Sequence, residues 1–198
     1  MSFEEIRVIT VVYLAVFLPL LVYFQNKTRL PSWVPTFYIV GVIVCALGWE
    51  LWFTYGWLDG DSVALRRSVA LNNWLPENIN WLMNSMGDAG AVLLGGAWIM
   101  WLSHKKDVSV FKEWKWSAFC ILLMWCIGQN ILVEMFLYHD QLAEGKPLSW
   151  APLSPLGPYF NPILFEFNDR TITLQSQMPW LIMPCIFYRT LINLNKSS

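Results

Sequence analysis

The sequence predicts an all-α integral membrane protein, a bundle of five transmembrane helices with a long extracytoplasmic loop that contains a short β-hairpin. Two observations favour this fold class. Charged residues make up 14% of the 198 residues and hydrophobic residues 56%, whereas a soluble domain carries about 25% charged residues. Five apolar runs are each long enough to cross the hydrocarbon core, which takes about 20 residues of helix. We expect residues 1–198 to form a single membrane domain.

The five predicted helices follow the apolar runs along the chain. They are expected at residues 8–24, 34–57, 81–102, 116–138 and 176–194. Between the second and third helices, residues 61–73 carry a doubled Ser-Val-Ala-Leu after a capping-type Asp61. This segment is typical of a short helix that lies on the membrane surface.

The loop at residues 139–175 is long for so small a bundle. It holds five prolines, and apolar residues then alternate with polar ones on either side of Asn168-Asp169. This alternation predicts a β-hairpin with strands at Ile163–Phe167 and Thr171–Gln175. A connection of this length is typical of a lid, a binding loop or a partner contact, with a plain structural cap as the alternative.

The positive charges suggest an orientation in the membrane. One side would hold Arg7, Arg66, Arg67, Lys146 and Arg170, and the other Lys27, Arg29, Lys105, Lys106, Lys112, Lys115, Arg189 and Lys196. Because the side richer in Lys and Arg faces the cytoplasm, we expect the carboxy terminus in the cytoplasm and the amino terminus outside.

Several classes of function are excluded by composition. A net charge of -1 without a long basic run leaves no surface for a nucleic-acid partner. The two histidines, His104 and His139, lie at helix ends, so they cannot build a multi-histidine metal or haem site inside the bundle. Gly-rich phosphate loops and Gly-x-Ser-x-Gly motifs do not occur in the sequence. We therefore expect no cofactor and no metal.

The polar residues of the predicted helices share one depth. With a rise of 1.5 Å per residue, Glu50 lies roughly 7 Å and Asp88 roughly 5 Å from the membrane midplane, both on the outer side. Ionisable groups in hydrocarbon are costly and demand a partner or a function. The sequence therefore predicts a polar pocket beneath the hairpin, in which Trp81, Asn84 and Asp88 share a helix face. Its expected substrate-binding residues are Trp49, Asn84, Gln129, Glu134, Gln177 and Trp180.

Paired carboxyls in an apolar site can move a proton, because the environment pushes their proton affinities apart. Glu50 and Asp88 are thus the expected catalytic residues, and a tryptophan face can stabilise a cation. The alternative is that the polar groups only join helices by hydrogen bonds, an alternative that weighs most for Asn84, Gln129 and Asn130.

Four short patterns resemble the emopamil-binding protein family, also called EXPERA-type. They are Glu50-Leu51-Trp52, Asp88, Gly128-Gln129 and Gln177-x-x-Trp180-x-x-x-Pro184. In that family five membrane helices enclose a lipid-facing pocket, and the best-known member is a sterol double-bond isomerase.

The resemblance implies a role for each matching residue. Glu50 matches the family's second-helix acid and Asp88 its third-helix glutamate. Gln177 matches a fifth-helix asparagine, and Trp180 matches the tryptophan that lies over the carbocation. The chain departs from the family at Ala46, where the sterol isomerases have a histidine.

The leading hypothesis is a membrane-embedded, cofactor-independent isomerase that moves a double bond in a sterol-like or isoprenoid lipid by carboxyl-mediated proton transfer. Three alternatives stay open: proton-initiated cyclisation of an isoprenoid, a non-catalytic lipid- or amphiphile-binding membrane protein, and a structural subunit of a larger membrane complex. The expected partners are a hydrophobic lipid-like ligand and membrane lipids. A homodimer or a membrane-complex subunit is left open as a protein partner.

Overall fold

The computed structural model describes residues 1–56, 62–137, 156–167 and 170–196. The chain is mostly helical, with one small antiparallel sheet. Among the described residues, three helices are long and apolar enough to cross a membrane, at Phe3–Asn26, Glu77–Ser103 and Trp116–Leu137. A fourth span results if the bent pair Trp33–Leu47 and Trp49–Tyr55 counts as one. The structure therefore agrees with a mostly helical membrane protein with three or four spanning helices.

The first helix, α1, runs from Phe3 to Asn26 and begins five residues before the predicted start. A capping box explains the earlier start. The Ser2 hydroxyl accepts a hydrogen bond from the Glu5 backbone N–H at 3.2 Å, and the Glu5 carboxylate accepts one from the Ser2 backbone N–H at 2.7 Å. These bonds satisfy backbone donors that a helix start otherwise leaves open.

The predicted second helix is divided in two. Helix α2 (Trp33–Leu47) and helix α3 (Trp49–Tyr55) meet at Gly48 with a bend of 48°. A Cβ atom at Gly48 would lie 2.7 Å from the Val44 carbonyl oxygen, so the chain bends where the side chain is absent. The predicted end at Trp57 lies outside the described residues.

The predicted surface helix is also divided. Helix α4 (Val63–Arg66) and helix α5 (Val69–Trp74) replace the single expected helix, and Asp61 lies outside the described residues. The break lies at Arg67, whose buried guanidinium donates to the Leu75 carbonyl and, at 3.0 Å, to Asn80 Oδ1. Burial lowers the pKa of Arg67 to about 10, so it stays charged at neutral pH.

The third span lies at the centre of the bundle. It consists of helix α6 (Glu77–Gly87), a π-helical segment (Asp88–Leu94) and helix α7 (Gly95–Ser103). It contacts α1 and α2 through small residues, since a Cβ at Gly90 would lie 3.0 Å from the Pro19 ring. Small residues let helix backbones approach closely where no water is present to drive association.

The fourth span follows a 3-10 turn at Val108–Phe111. Helix α8 (Trp116–Leu132) passes without interruption into a second π-helical segment, Val133–Leu137. The predicted last residue, Tyr138, lies outside the described residues, as do residues 139–155 of the long loop.

The structure confirms the two-stranded hairpin, as strands β1 (Ile163–Phe167) and β2 (Arg170–Thr173) pair antiparallel. The predicted turn at 168–169 lies outside the described residues. The second strand is shorter than predicted because helix α9 (Leu174–Lys196) already begins at Leu174. Helix α9 packs on α8 and α2 but does not count among the helices apolar enough to span, so the fifth span stays a prediction.

The main hydrophobic core fills the bundle between α2, α7, α8 and α9. We call this region the packed half, and its central buried side chains are Phe37, Ala97, Met100, Leu122 and Phe187. The rings of Phe37 and Phe187 meet edge to face at 4.4 Å between centroids. A smaller cluster joins α1, α5 and α6. The cavity described next borders this core, since Val92 and Trp180 belong to both.

Candidate functional site: a polar cavity within the helix bundle

A cavity of about 210 Å³ lies between α1, α3, α6, the first π-helical segment, α8 and the start of α9. Six of the eight residues predicted for the site line it: Trp49, Glu50, Asn84, Asp88, Gln129 and Trp180. The rest of the wall is mainly apolar and includes Val11, Phe53, Met83 and Val92. Val11 is 39% exposed, so the cavity reaches the outer surface of the bundle beside α1.

Glu50 owes its position to the break in the second span. It lies in the first turn of α3, directly after the bend at Gly48, and its side chain is 4% exposed. The Ala46 carbonyl, which a continuous helix would bond to the Glu50 N–H, accepts the Trp81 indole N–H at 2.8 Å instead. The bend is therefore stabilised by a hydrogen bond from the third span.

The Glu50 carboxyl faces the cavity without a full set of partners. Its Oε2 atom is buried and accepts no hydrogen bond from the described residues. The side chains of Asn84 and Thr54 lie beside it, and the Asp88 carboxyl is close enough to interact with it electrostatically. An unpartnered buried carboxyl oxygen is costly, which makes Glu50 a candidate for ligand binding or proton transfer.

Asp88 opens the π-helical segment of the third span. Its Oδ2 atom accepts a hydrogen bond from the Trp49 indole N–H at 2.8 Å, which joins the two carboxyl-bearing spans. The Trp125 indole N–H bonds to the Val92 carbonyl in the same segment at 2.9 Å. Single π-helical turns occur frequently at functional sites.

Two tryptophans form an aromatic wall beside the carboxyls. The rings of Trp49 and Trp180 lie 5.2 Å apart at an angle of 58°, and both residues line the cavity. Indole faces attract positive charge more strongly than other aromatic rings. A cation that forms between the carboxyls would therefore meet an aromatic surface.

Glu134 and Gln177 are placed next to the cavity, outside its lining. The Gln177 amide donates to Glu134 Oε2 at 2.9 Å, and both side chains are buried. Gln129 lines the cavity, and its amide nitrogen bonds to the Cys126 carbonyl on its own helix at 3.0 Å. The residues predicted for the pocket therefore fall into two sets. One set surrounds the Glu50 and Asp88 carboxyls in the cavity wall, and the other is the hydrogen-bonded pair Glu134 and Gln177 beside the cavity.

Asn130 and Ser176 also line the cavity. The sequence indicated Asn130, one turn before Glu134, as either a pocket residue or an amide that only joins helices, and it did not indicate Ser176, which directly precedes Gln177. Trp81 was expected to share the pocket face with Asn84 and Asp88. The structure instead uses its indole N–H at the bend, on the Ala46 carbonyl.

In the part of the chain that the structure describes, no three His, Cys, Asp or Glu side chains are grouped so that they could hold a metal ion. The polar side chains that line the cavity among the described residues are two carboxyls, three amides, three indoles and the Ser176 hydroxyl. These groups can donate, accept and transfer protons, and their apolar surroundings strengthen each electrostatic interaction.

No protein-family model, no curated protein and no solved structure matches this chain.

Proposed function

We propose that this protein is a membrane-embedded isomerase that moves a double bond in a sterol-like or isoprenoid lipid by proton transfer between carboxyl groups. One observation carries the proposal: Glu50 and Asp88, on different spans, line one apolar cavity whose wall includes the paired rings of Trp49 and Trp180. A hydrocarbon ligand fits such a wall, and two carboxyls supply the acid and the base that the reaction needs.

The reaction needs no cofactor. One carboxyl gives its proton to an alkene carbon and leaves a carbocation on the neighbouring carbon. A second carboxyl takes a proton from an adjacent carbon, and the electrons of that C–H bond form the new double bond. The Trp180 face stabilises the intermediate cation. The lipid gains one proton and loses one, and the proton held by the second carboxyl then returns to the first, which restores both groups.

The hydrogen bonds favour Glu50 as the acid and Asp88 as the base. Asp88 accepts the Trp49 N–H, a contact that suits a charged carboxylate, whereas Glu50 Oε2 has no donor in the described structure. A protonated Glu50 could turn its O–H toward a bound alkene without breaking an existing bond. Charged and neutral carboxyls in one site are the usual arrangement for acid–base work.

The resemblance to the emopamil-binding protein family supports the same reaction class. The departure at Ala46 favours the second candidate function, a non-catalytic lipid binder, because alanine offers no proton donor or acceptor where the isomerases have a histidine. In an active isomerase of this kind the two carboxyls alone would transfer the protons.

We propose that α9 completes a five-span bundle with its carboxy terminus in the cytoplasm. The helix has 23 residues, which at 1.5 Å each gives about 34 Å, enough to cross the hydrocarbon. Its polar residues Gln175, Ser176 and Gln177 are buried, while Ile182 and Ile186 are exposed in its middle. The low overall hydropathy of the helix therefore has two sources: these buried polar residues at its start, and the exposed Arg189, Asn193 and Lys196 near its carboxy-terminal end, where a spanning helix leaves the hydrocarbon.

The test is deuterium uptake by bound lipid. The protein is incubated in heavy water, and the lipids that copurify with it are identified by mass spectrometry. Wild type is expected to incorporate deuterium into one enriched lipid, and Glu50→Gln and Asp88→Asn to lower the rate by about 100-fold or more, the usual contribution of general acid–base catalysis.

Glu166→Gln is the matched control, because this acid lies exposed on the hairpin, away from the cavity. It should keep the wild-type rate. An enriched lipid without deuterium in any sample would support the binder, and the absence of any enriched lipid would contradict both candidate functions.

A further inference from the structure

Asn130 presents an unused hydrogen-bond acceptor to the cavity. Its Nδ2 atom donates to the Ser176 carbonyl at 3.2 Å and to Gln177 Oε1 at 3.0 Å. Its Oδ1 atom receives no hydrogen bond from the described residues, although the side chain lines the cavity. Both amide hydrogens are therefore used, while the oxygen is free for a ligand.

The orientation of this amide is fixed by its neighbours. A backbone carbonyl can only accept, so the nitrogen of Asn130 must face Ser176, and the oxygen must point away from α9. Gln177 is oriented in the same way, because its Nε2 donates to Glu134 Oε2 at 2.9 Å and to Ser176 Oγ at 3.1 Å. The buried Glu134 carboxyl thus supports, through Gln177, the orientation that the Ser176 carbonyl gives to the Asn130 amide.

We infer that Asn130 Oδ1 binds the hydroxyl group of the lipid, and that Gln177 and Glu134 are positioning residues for this contact. The inference rests on the proposed function in that the cavity holds an isoprenoid or sterol-like lipid. Asn130 is partly buried and its Oδ1 atom has no donor among the described residues, so a ligand that brings a donor gains a hydrogen bond there. An ether or a ketone brings acceptors alone and cannot satisfy it.

The charges of the cavity disfavour a phosphorylated lipid. Among the described residues that line it, none is Lys, Arg or His, whereas two are carboxyls. A phosphate or diphosphate ester would bring negative charge to this wall without a cation to balance it. A neutral hydroxyl has no such cost.

The size of the cavity shows how much of the lipid it can enclose. Its volume of about 210 Å³ exceeds the roughly 150 Å³ that suffices for benzene and falls below the roughly 300 Å³ of pockets that enclose a drug-sized ligand. The hydroxyl-bearing end of an isoprenoid fits, and the remainder extends past Val11 to the surrounding lipid. A ten-carbon isoprenoid alcohol is therefore a suitable probe.

The experiment compares geraniol with geranyl methyl ether, which lacks the hydroxyl hydrogen. Binding of each radiolabelled probe is measured on the protein in nanodiscs, with empty nanodiscs subtracted because both probes partition into lipid. Wild type is expected to bind the alcohol about fivefold to tenfold more tightly than the ether, the worth of one neutral hydrogen bond. Asn130→Leu should bring this ratio close to one.

Glu134 supplies a second, independent pair of variants. Glu134→Leu removes the acceptor that orients Gln177 and should lower the ratio, while Glu134→Gln keeps an oxygen there and should restore it. A role in folding alone would weaken both probes equally and leave the ratio unchanged. Thermal unfolding of each variant identifies any that fails to fold.

Two results would overturn the inference: equal binding of alcohol and ether by wild type, or an alcohol preference that persists in Asn130→Leu and disappears in Glu50→Gln. The second result would place the hydroxyl at the carboxyls. The assay does not depend on turnover, so its failure is separate from that of the proposed isomerase. Selective binding without deuterium uptake would contradict the isomerase alone.

Discussion

The packed half of this bundle and the half that holds the cavity differ in the regularity of their helices. In the packed half, Phe37, Met100, Leu122 and Phe187 fill the space between regular helices. In the cavity half, the corresponding helices are irregular. The second span bends at Gly48, and the third and fourth spans contain the π-helical segments at 88–94 and 133–137.

The irregular segments occur where the polar side chains must converge. Glu50 follows the bend, Asp88 opens one π-helical segment and Glu134 lies in the other. A regular helix repeats every 3.6 residues and fixes which side chains share a face, and each interruption rotates the following residues. The comparison indicates that regular helices in the packed half stabilise the bundle, while irregular helix segments around the cavity place its polar side chains.

Apart from the loss of the carboxyls themselves, the largest effect on deuterium uptake is expected where the bend positions Glu50. Gly48→Ala would place a Cβ atom 2.7 Å from the Val44 carbonyl oxygen, so the backbone must shift and carry Glu50 with it. Displacing a reacting group by about 1 Å can cost 100-fold in rate. We expect deuterium uptake by the bound lipid to fall by about tenfold to 100-fold.

Gly128→Ala is the matched control for this change. A Cβ there has no atom within 4 Å apart from its own helix and neighbours, so it needs no backbone shift. Deuterium uptake by this variant should stay within about twofold of wild type, since no catalytic atom moves. Equal losses in the two variants would show that the bend at Gly48 does not position Glu50.

A smaller effect is expected from removing packing. Leu122→Ala deletes a fully buried side chain in the packed half. Because lipid is as apolar as leucine, little transfer free energy is lost when this side chain is removed. The cost of the new void remains and should lower the free energy of unfolding by about 1–3 kcal/mol. Val133→Ala removes part of a wall that already borders the cavity and should cost less than half as much.

Unfolding of both variants in detergent, followed by circular dichroism, gives the comparison. If Val133→Ala destabilises the protein as strongly as Leu122→Ala, the cavity half is packed as tightly as the other half, and the distinction between them fails.

The smallest effect on stability is expected outside both halves, at Asp107 in the loop before α8. Hydrogen bonds from the Ser109 hydroxyl and backbone N–H, followed by the contact with Lys115, lower the pKa of Asp107 to about 2 from its usual 3.8. Because the pKa is lower in the folded chain, the carboxylate stabilises the fold above pH 4, and this contribution is lost as the pH falls toward 2.

Asp107→Asn should therefore lower the Tm slightly at pH 7 and have a smaller effect at pH 2. Thermal scans of both proteins at the two pH values provide the measurement. A difference in Tm that is the same at pH 2 and pH 7 would contradict the role of the charge.

The apolar segments, and the depth of the polar residues along the predicted helices, were enough to predict much of this architecture. The first helix, the third and fourth spans and the hairpin lie within a few residues of their expected positions, because hydropathy and length indicate the helices and alternation indicates the strands. The depth of Glu50 and Asp88 followed from helix rise, and the structure brings both to one cavity.

The irregular segments could not be predicted, because their causes lie elsewhere in the chain. Leu47-Gly48-Trp49 continues an apolar run, and the bend depends on the Trp81 indole N–H, which comes from another span. The role of Asn130 likewise depends on how α8 and α9 are rotated against each other, which brings Gln177 within 3.0 Å of its amide. Tertiary hydrogen bonds of this kind leave no periodic pattern.

The most direct test of a lipid site in the cavity is to find where an isoprenoid binds. A geraniol analogue that carries a diazirine is photolysed with the protein in nanodiscs, with and without excess geraniol, and the labelled peptides are identified by mass spectrometry. We predict geraniol-sensitive labelling of peptides that hold Trp49–Phe53, Asn84–Asp88 and Gln177–Trp180. Labelling that excess geraniol does not reduce, or that falls on lipid-exposed residues such as Ile39 and Trp98, would contradict a lipid site in the cavity half.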